Sequence, residues 1–146
     1  MEALLTVPMK VLMIGENKRL FSQITCWLTT LTTEISVISV ADGLGAIPMV
    51  RSAAPDMVIV NSVLPDTEIC DFVKKIREFS EVPMMALCRI AEGAEPSDVL
   101  EAGADEYVTE MFDGREFVAK VRALFRRTKG IGLDSGSYLY RVMNWQ

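Results

Sequence analysis

Pro55-Asp56-Met57-Val58-Ile59-Val60-Asn61-Ser62-Val63-Leu64-Pro65 is the stretch on which the fold turns. Met57 to Val60 is apolar without interruption, whereas a strand with one wet face would alternate apolar and polar residues. An unbroken run of this length reads as a strand buried on both faces, the kind found in a parallel sheet covered by helices. The run ends at Asn61-Ser62, and Pro65 marks a loop in which Asp66 or Thr67 is placed to cap a helix. That helix carries Ile69, Phe72, Val73 and Ile76 on its inward stripe.

The same alternation repeats on either side. Upstream, Val11-Leu12-Met13-Ile14 is a second continuous apolar run, followed past Gly15-Glu16-Asn17 by a helix with Leu20, Ile24, Trp27, Leu28 and Leu31 on one stripe. A β-branched strand, Ile35 to Val40, comes next. A short helix from about Ala46 to Ala53 is then expected, with Pro48 tolerable only in its first turn. Downstream, Val82 to Leu87 is a fourth strand ending at Cys88, and Pro96 to Ala102 is a brief helix stopped by Gly103. Glu106 to Thr109 is a fifth strand, and Asp113 to about Arg127 is a last helix with Phe117, Val118, Val121, Leu124 and Phe125 on its stripe. Five strand–helix units predict an α/β, doubly wound, flavodoxin-like domain, its parallel sheet in the order 2-1-3-4-5 and covered by five helices.

Composition sets the outer bounds. The 146 residues are 50% apolar and 24% charged, enough to bury a core without metals or disulfides. A net charge of −5 argues against a nucleic-acid binder, because neutralising phosphates requires an excess of Lys and Arg. With no histidine there is no phosphohistidine chemistry, no His-based triad and no His metal ligand. Cys26, Cys70 and Cys88 are odd in number and widely spaced, which fits reduced thiols in a cytoplasmic protein. The N-terminus lacks a basic region like that of a signal peptide, and no apolar run is long enough for a membrane span.

Residues 1–8 read as an N-terminal extension and 9–128 as the domain. Residues 129–146 change texture, with Gly130, Gly132 and Gly136 giving way to the strand-like Tyr138-Leu139-Tyr140-Arg141-Val142. An isolated strand is not stable in water, so this tail must pair with the domain, a partner, or a further domain.

Between Met9 and Arg127 the chain resembles the bacterial response-regulator receiver domain. The resemblance rests on Pro55 to Asn61 with Leu64-Pro65, Val82 to Leu87, Glu101-Ala102-Gly103-Ala104-Asp105-Glu106-Tyr107-Val108, and the helix Arg115 to Arg127. That helix, with its double-arginine ending, is most similar to regulators carrying a winged-helix DNA-binding domain, the OmpR-like subfamily.

The resemblance implies a site at the strand ends: two acids and an Asp that hold Mg²⁺, the Asp accepting phosphate, then a Thr or Ser and a Lys that bind the phosphoryl oxygens. At those positions this chain has Gly15 and Glu16, Asn61, Cys88 and Glu110. An amide forms no acyl phosphate, and Glu110 reverses the charge of the cation it replaces. Met111 stands where the family often has a cis-proline, which implies a trans peptide. The resemblance therefore implies a pseudo-receiver, neither an enzyme nor a holder of metal or cofactor.

Glu16, Asn61 and Glu110 are a thin donor set for a cation. Cys88 reads as a small buried substitute for the hydroxyl, ahead of a redox sensor activated by Arg89. Tyr107 occupies the family's switch-aromatic position, and with its partner hydroxyl replaced it is expected to hold one arrangement. The basic run Arg115, Lys120, Arg122, Arg126, Arg127 and Lys129 reads as a salt-bridged face ahead of a DNA-contacting one.

In the resembled subfamily the fourth helix, fifth strand and fifth helix form a symmetric dimer. Asp105, Glu106, Glu116, Lys120 and Arg122 keep part of its ion-pair pattern, and Pro96 breaks it. Apolar contacts from Val99, Leu100 and Phe117 are then expected to carry the interaction. Two functions follow. One is the receiver of an atypical transcription regulator, homodimeric or controlled by a partner protein. The other is a stand-alone adaptor.

Overall fold

The computed structural model describes residues 8–32, 34–89, 95–109 and 112–129, with no account of the side chains of residues 128 and 129. Five parallel strands form one sheet in the order β2-β1-β3-β4-β5. They are β1 (Met9–Ile14), β2 (Ile35–Val40), β3 (Met57–Asn61), β4 (Met84–Cys88) and β5 (Glu106–Thr109). The helices are α1 (Lys18–Leu28), α2 (Gly43–Ala53), α3 (Ile69–Arg77), α4 (Pro96–Ala102) and α5 (Gly114–Lys129). This is the doubly wound α/β architecture expected from the alternation, with the strand order reversing between β1 and β3.

Successive side chains of a strand point to opposite faces, so each continuous apolar run feeds two cores. Met9, Val11, Met13, Met57 and Ile59 pack with Phe21, Ile24 and Leu28 of α1 and Phe117, Val121 and Phe125 of α5. Leu12, Ile14, Val58 and Val60 pack with Val50 of α2, Phe72, Val73 and Ile76 of α3, and Val99 of α4. All residues of β3 and β4 are buried, which is why neither run alternates.

Three local expectations are corrected. Helix α2 starts at Gly43, three residues before the expected Ala46, because Asp42 caps it by accepting from the Gly45 N–H at 2.7 Å. Pro48 consequently lies inside the helix. Pro48 lacks the N–H that would bond the Leu44 carbonyl, and both residues lie on the exposed side of the helix. At α3 the N-cap is Glu68, and Asp66 serves α2 instead: its carboxylate accepts from Gly43 N–H at 2.9 Å and Leu44 N–H at 2.8 Å. Strand β4 opens at Met84 and not at Val82, whose carbonyl is taken by Arg77 at 2.7 Å.

Candidate functional site

The sheet brings Gly15, Asn61 and Cys88 to the carboxyl ends of β1, β3 and β4, at the reversal of strand order where ligands of such folds sit. A cleft of about 250 Å³ opens there, lined by Asn17, Leu20, Asn61, Leu87, Cys88, Arg89 and Phe112.

Gly15 is in a left-handed conformation, φ 141°, that side chains rarely adopt. A Cβ at that position would lie 2.8 Å from the Asn61 Cβ and 3.3 Å from the Phe21 ring. The position therefore cannot take the acid that the resemblance implies without moving β1 or β3. Glu16 is exposed, and Asn17 is occupied in capping α1, its Oδ1 accepting from Leu20 N–H at 3.0 Å.

Asn61 is 6% exposed, and its Oδ1 accepts from Val63 N–H at 3.0 Å. The bond draws the amide oxygen into the turn after β3. Cys88 is buried with the α2–α3–α4 core, and burial, helped by nearby Cys70, pushes its thiol up to about 11. A thiol held in its neutral form is a poor nucleophile at neutral pH, and sulfur is a soft donor ill suited to a hard cation. Arg89 is exposed, and its backbone N–H donates to Ser62 Oγ at 3.1 Å, tying β4 to the turn after β3.

Magnesium needs several hard oxygen ligands. With Gly15 bare, Asn61 Oδ1 engaged and Cys88 neutral, the described residues at the strand ends do not fit that ion, and no three Cys, Asp or Glu side chains converge among the described residues. Glu110 and Met111 lie outside the described residues, as do residues 1–7 of the N-terminal extension and 130–146 of the tail.

The face of α4, β5 and α5 is differently provisioned. Lys120 Nζ donates to the Tyr107 carbonyl at 2.8 Å, lies 3.4 Å from Glu116 Oε2 and 3.7 Å from Glu106 Oε1, and sits 5.1 Å from the Tyr107 ring centroid. Tyr107 N–H donates to Glu106 Oε1 at 3.0 Å. Both backbone groups of Tyr107, on the outer edge of the sheet, are thus bonded by side chains of the same chain, which blunts the edge against strand addition. The ring is half-buried against the α2–α3–α4 core. Arg122 is half-buried and also engaged.

Two expectations for this face are overturned. Val99 and Phe117 are fully buried in opposite cores, Val99 under α4 and Phe117 under α5, and neither is available to a partner. Their helical stripes point at the sheet, and the apolar pattern alone does not separate a core stripe from a docking stripe. Leu100, one position on, is 36% exposed. Asp105 is engaged within the chain, its Oδ2 2.9 Å from Arg77 Nη2. The sequence singled out neither Arg77 nor Phe112, and it placed Asp66 at the start of α3 and not against α2. Asp66 and Arg77 bond residues more than twenty positions away, and no local pattern announces such pairs.

A doubly wound domain with a cleft at the β1/β3 reversal is the architecture of a receiver. The chain belongs to the response regulator receiver domain family, whose profile matches residues 11–122. It is 37% identical over 92 residues to the transcriptional regulatory protein CseB of Streptomyces coelicolor, covering 63% of this chain and 39% of that protein. It is 32% identical over 124 residues to the DNA-binding response regulator MtrA of Mycolicibacterium smegmatis, covering 85% of this chain and 54% of that one. The chain thus spans about half or less of the length of these relatives. Among solved structures, a two-component response regulator from Clostridium difficile superposes with a TM-score of 0.73 at 25% identity, over 82% of this chain and 98% of that one. The receiver domain of the sensor histidine kinase PA1611 from Pseudomonas aeruginosa gives 0.68 at 23% identity, over 85% and 99%. No helix among the described residues is long and apolar enough to cross a membrane.

Proposed function

We propose that this chain is the pseudo-receiver of an atypical cytoplasmic transcription regulator that works without phosphorylation, through protein contacts at the face of α4, β5 and α5. One observation carries the reading. The position of the phosphate acceptor holds an amide whose oxygen is bonded to the Val63 N–H, facing a glycine whose backbone excludes the neighbouring acid. The Glu at position 110, where the family has a cation, adds a charge of the wrong sign for phosphate. Transcriptional output is drawn from relatives named as transcriptional and DNA-binding regulators, and the tail from Gly132 would open the effector domain.

A second reading, a stand-alone adaptor that docks on a different protein, draws on the face itself. Lys120 and Asp105 are already paired within the chain, so a symmetric dimer would have to compete for them, while Leu100 is exposed among the described residues.

The test is phosphorylation with acetyl phosphate and Mg²⁺, read by intact mass, on the wild type and on Asn61→Asp. Neither should take up phosphate. Stoichiometric incorporation into the wild type would overturn the reading, and incorporation into Asn61→Asp would show that one residue alone had disabled the site. Light scattering on the same samples separates the two readings, a homodimer for the regulator and a monomer for the adaptor.

A further inference from the structure

A cation with four hydrogen-bond acceptors lies away from the cleft, in the last turn of α3. Arg77 Nε donates to the Gly103 carbonyl at 2.9 Å, just past the end of α4. Its Nη1 donates to the carbonyls of Ser80 at 3.2 Å and Val82 at 2.7 Å, in the link from α3 to β4. Its Nη2 reaches Asp105 Oδ2 at 2.9 Å, and that oxygen also accepts from Met84 N–H at 2.8 Å. Asp105 N–H donates back to the Met84 carbonyl at 2.9 Å. One planar guanidinium thereby joins the end of α3, the end of α4 and the starts of β4 and β5.

The backbone is shaped to this contact. Gly103 has φ 132°, and a Cβ there would lie 2.7 Å from Arg77 Cγ, so a side chain would push the arginine away. Helix α4 has little other anchorage, being seven residues long with Val99 its one buried residue. An element with so few buried contacts is drawn from the low-stability end of a structure unless something else ties it down.

We infer that Arg77 is a latch that holds the end of α4 and the start of β5 against α3 in one arrangement. This rests on the pseudo-receiver reading only for its purpose: with no phosphate to bias the output face, the latch sets its shape. An arginine is required because its rigid fork serves four acceptors at once, whereas a lysine is a single point charge.

The experiment is amide hydrogen exchange by NMR on the full chain, comparing wild type with Arg77→Gln, Arg77→Lys and Asp105→Asn. Rates at Met84, Gly103, Ala104 and Asp105 are read as ratios to those at Val11 and Ile59, deep in the sheet. In both Arg77 variants the ratios should rise about tenfold, the effect of losing roughly one charged hydrogen bond. Asp105→Asn, which keeps three of the four acceptors, should give a smaller rise and stands in if Arg77→Gln does not fold. Unchanged ratios, which include a uniform acceleration of the whole domain, would overturn the latch, as would wild-type ratios in Arg77→Lys. Adding acetyl phosphate and Mg²⁺ to the wild type separates the two claims: a response at these amides would sink the pseudo-receiver reading and leave the latch standing.

Discussion

The strand-end cleft and the corner where α3, α4 and β5 meet are opposites in how they use polar groups. In the cleft the positions that matter are a bare glycine, an amide bonded to its own turn and a neutral thiol. At the corner, Arg77 and Asp105 tie four segments together, and Lys120 binds the carbonyl of the edge strand beside two carboxylates. The described residues of the cleft offer few free polar groups. At the corner the polar groups bond one another and the backbone of neighbouring segments, and so hold shape.

The contrast can be broken first at helices α4 and α5. Phe117→Ala should lower stability by about 3–5 kcal/mol in urea unfolding, because it empties a fully buried site, whereas Leu100→Ala should change it by no more than about 0.5 kcal/mol. Similar losses for the two would mean that α4 and α5 pack otherwise than described. Gly15→Asp comes next. It should cost about 1–3 kcal/mol through the left-handed backbone and the contact with Asn61, without strengthening Mg²⁺ binding measured by calorimetry. A stable variant that binds Mg²⁺ would show the cleft to be one substitution from holding the ion.

The smallest effect is expected at Asp66, an exposed residue. The N–H groups of Leu44 and Gly43 hold its carboxyl below the ordinary 3.8. A depressed folded value means that its contribution is present above the ordinary value and is lost as the pH falls through the folded one. Acid titration of stability should therefore fall less steeply in Asp66→Asn than in the wild type below about pH 4. Identical slopes would mean that the loop after β3 is not held to α2 by this charge.

Much of this was legible in the residues. The unbroken runs at Met57 to Val60 and Val11 to Ile14 specify strands buried on both faces, and β2, α4 and β5 have the boundaries their patterns predict. Asn61 and Cys88 stand at strand ends because their runs end there. The misses have two causes. The cap on α2 is local, Asp42 to Gly45, and was passed over because Pro48 was confined to the first turn. The partner of Asp66 and the grip of Arg77, by contrast, depend on segments brought together only by folding. Val99 and Phe117 misled for the related reason that a helical stripe does not reveal what it faces.

The amino-acid sequence by itself determined the class of fold and the residue types at the strand ends, because hydrophobic periodicity and side-chain chemistry are local properties. Tertiary structure decided the rest: that Gly15 leaves no room for an acid, that Phe117 is core and Leu100 is surface, and that Arg77 joins four segments. Steric exclusion, burial and long-range hydrogen bonds are relations between distant residues, and they exist only once the chain has closed on itself.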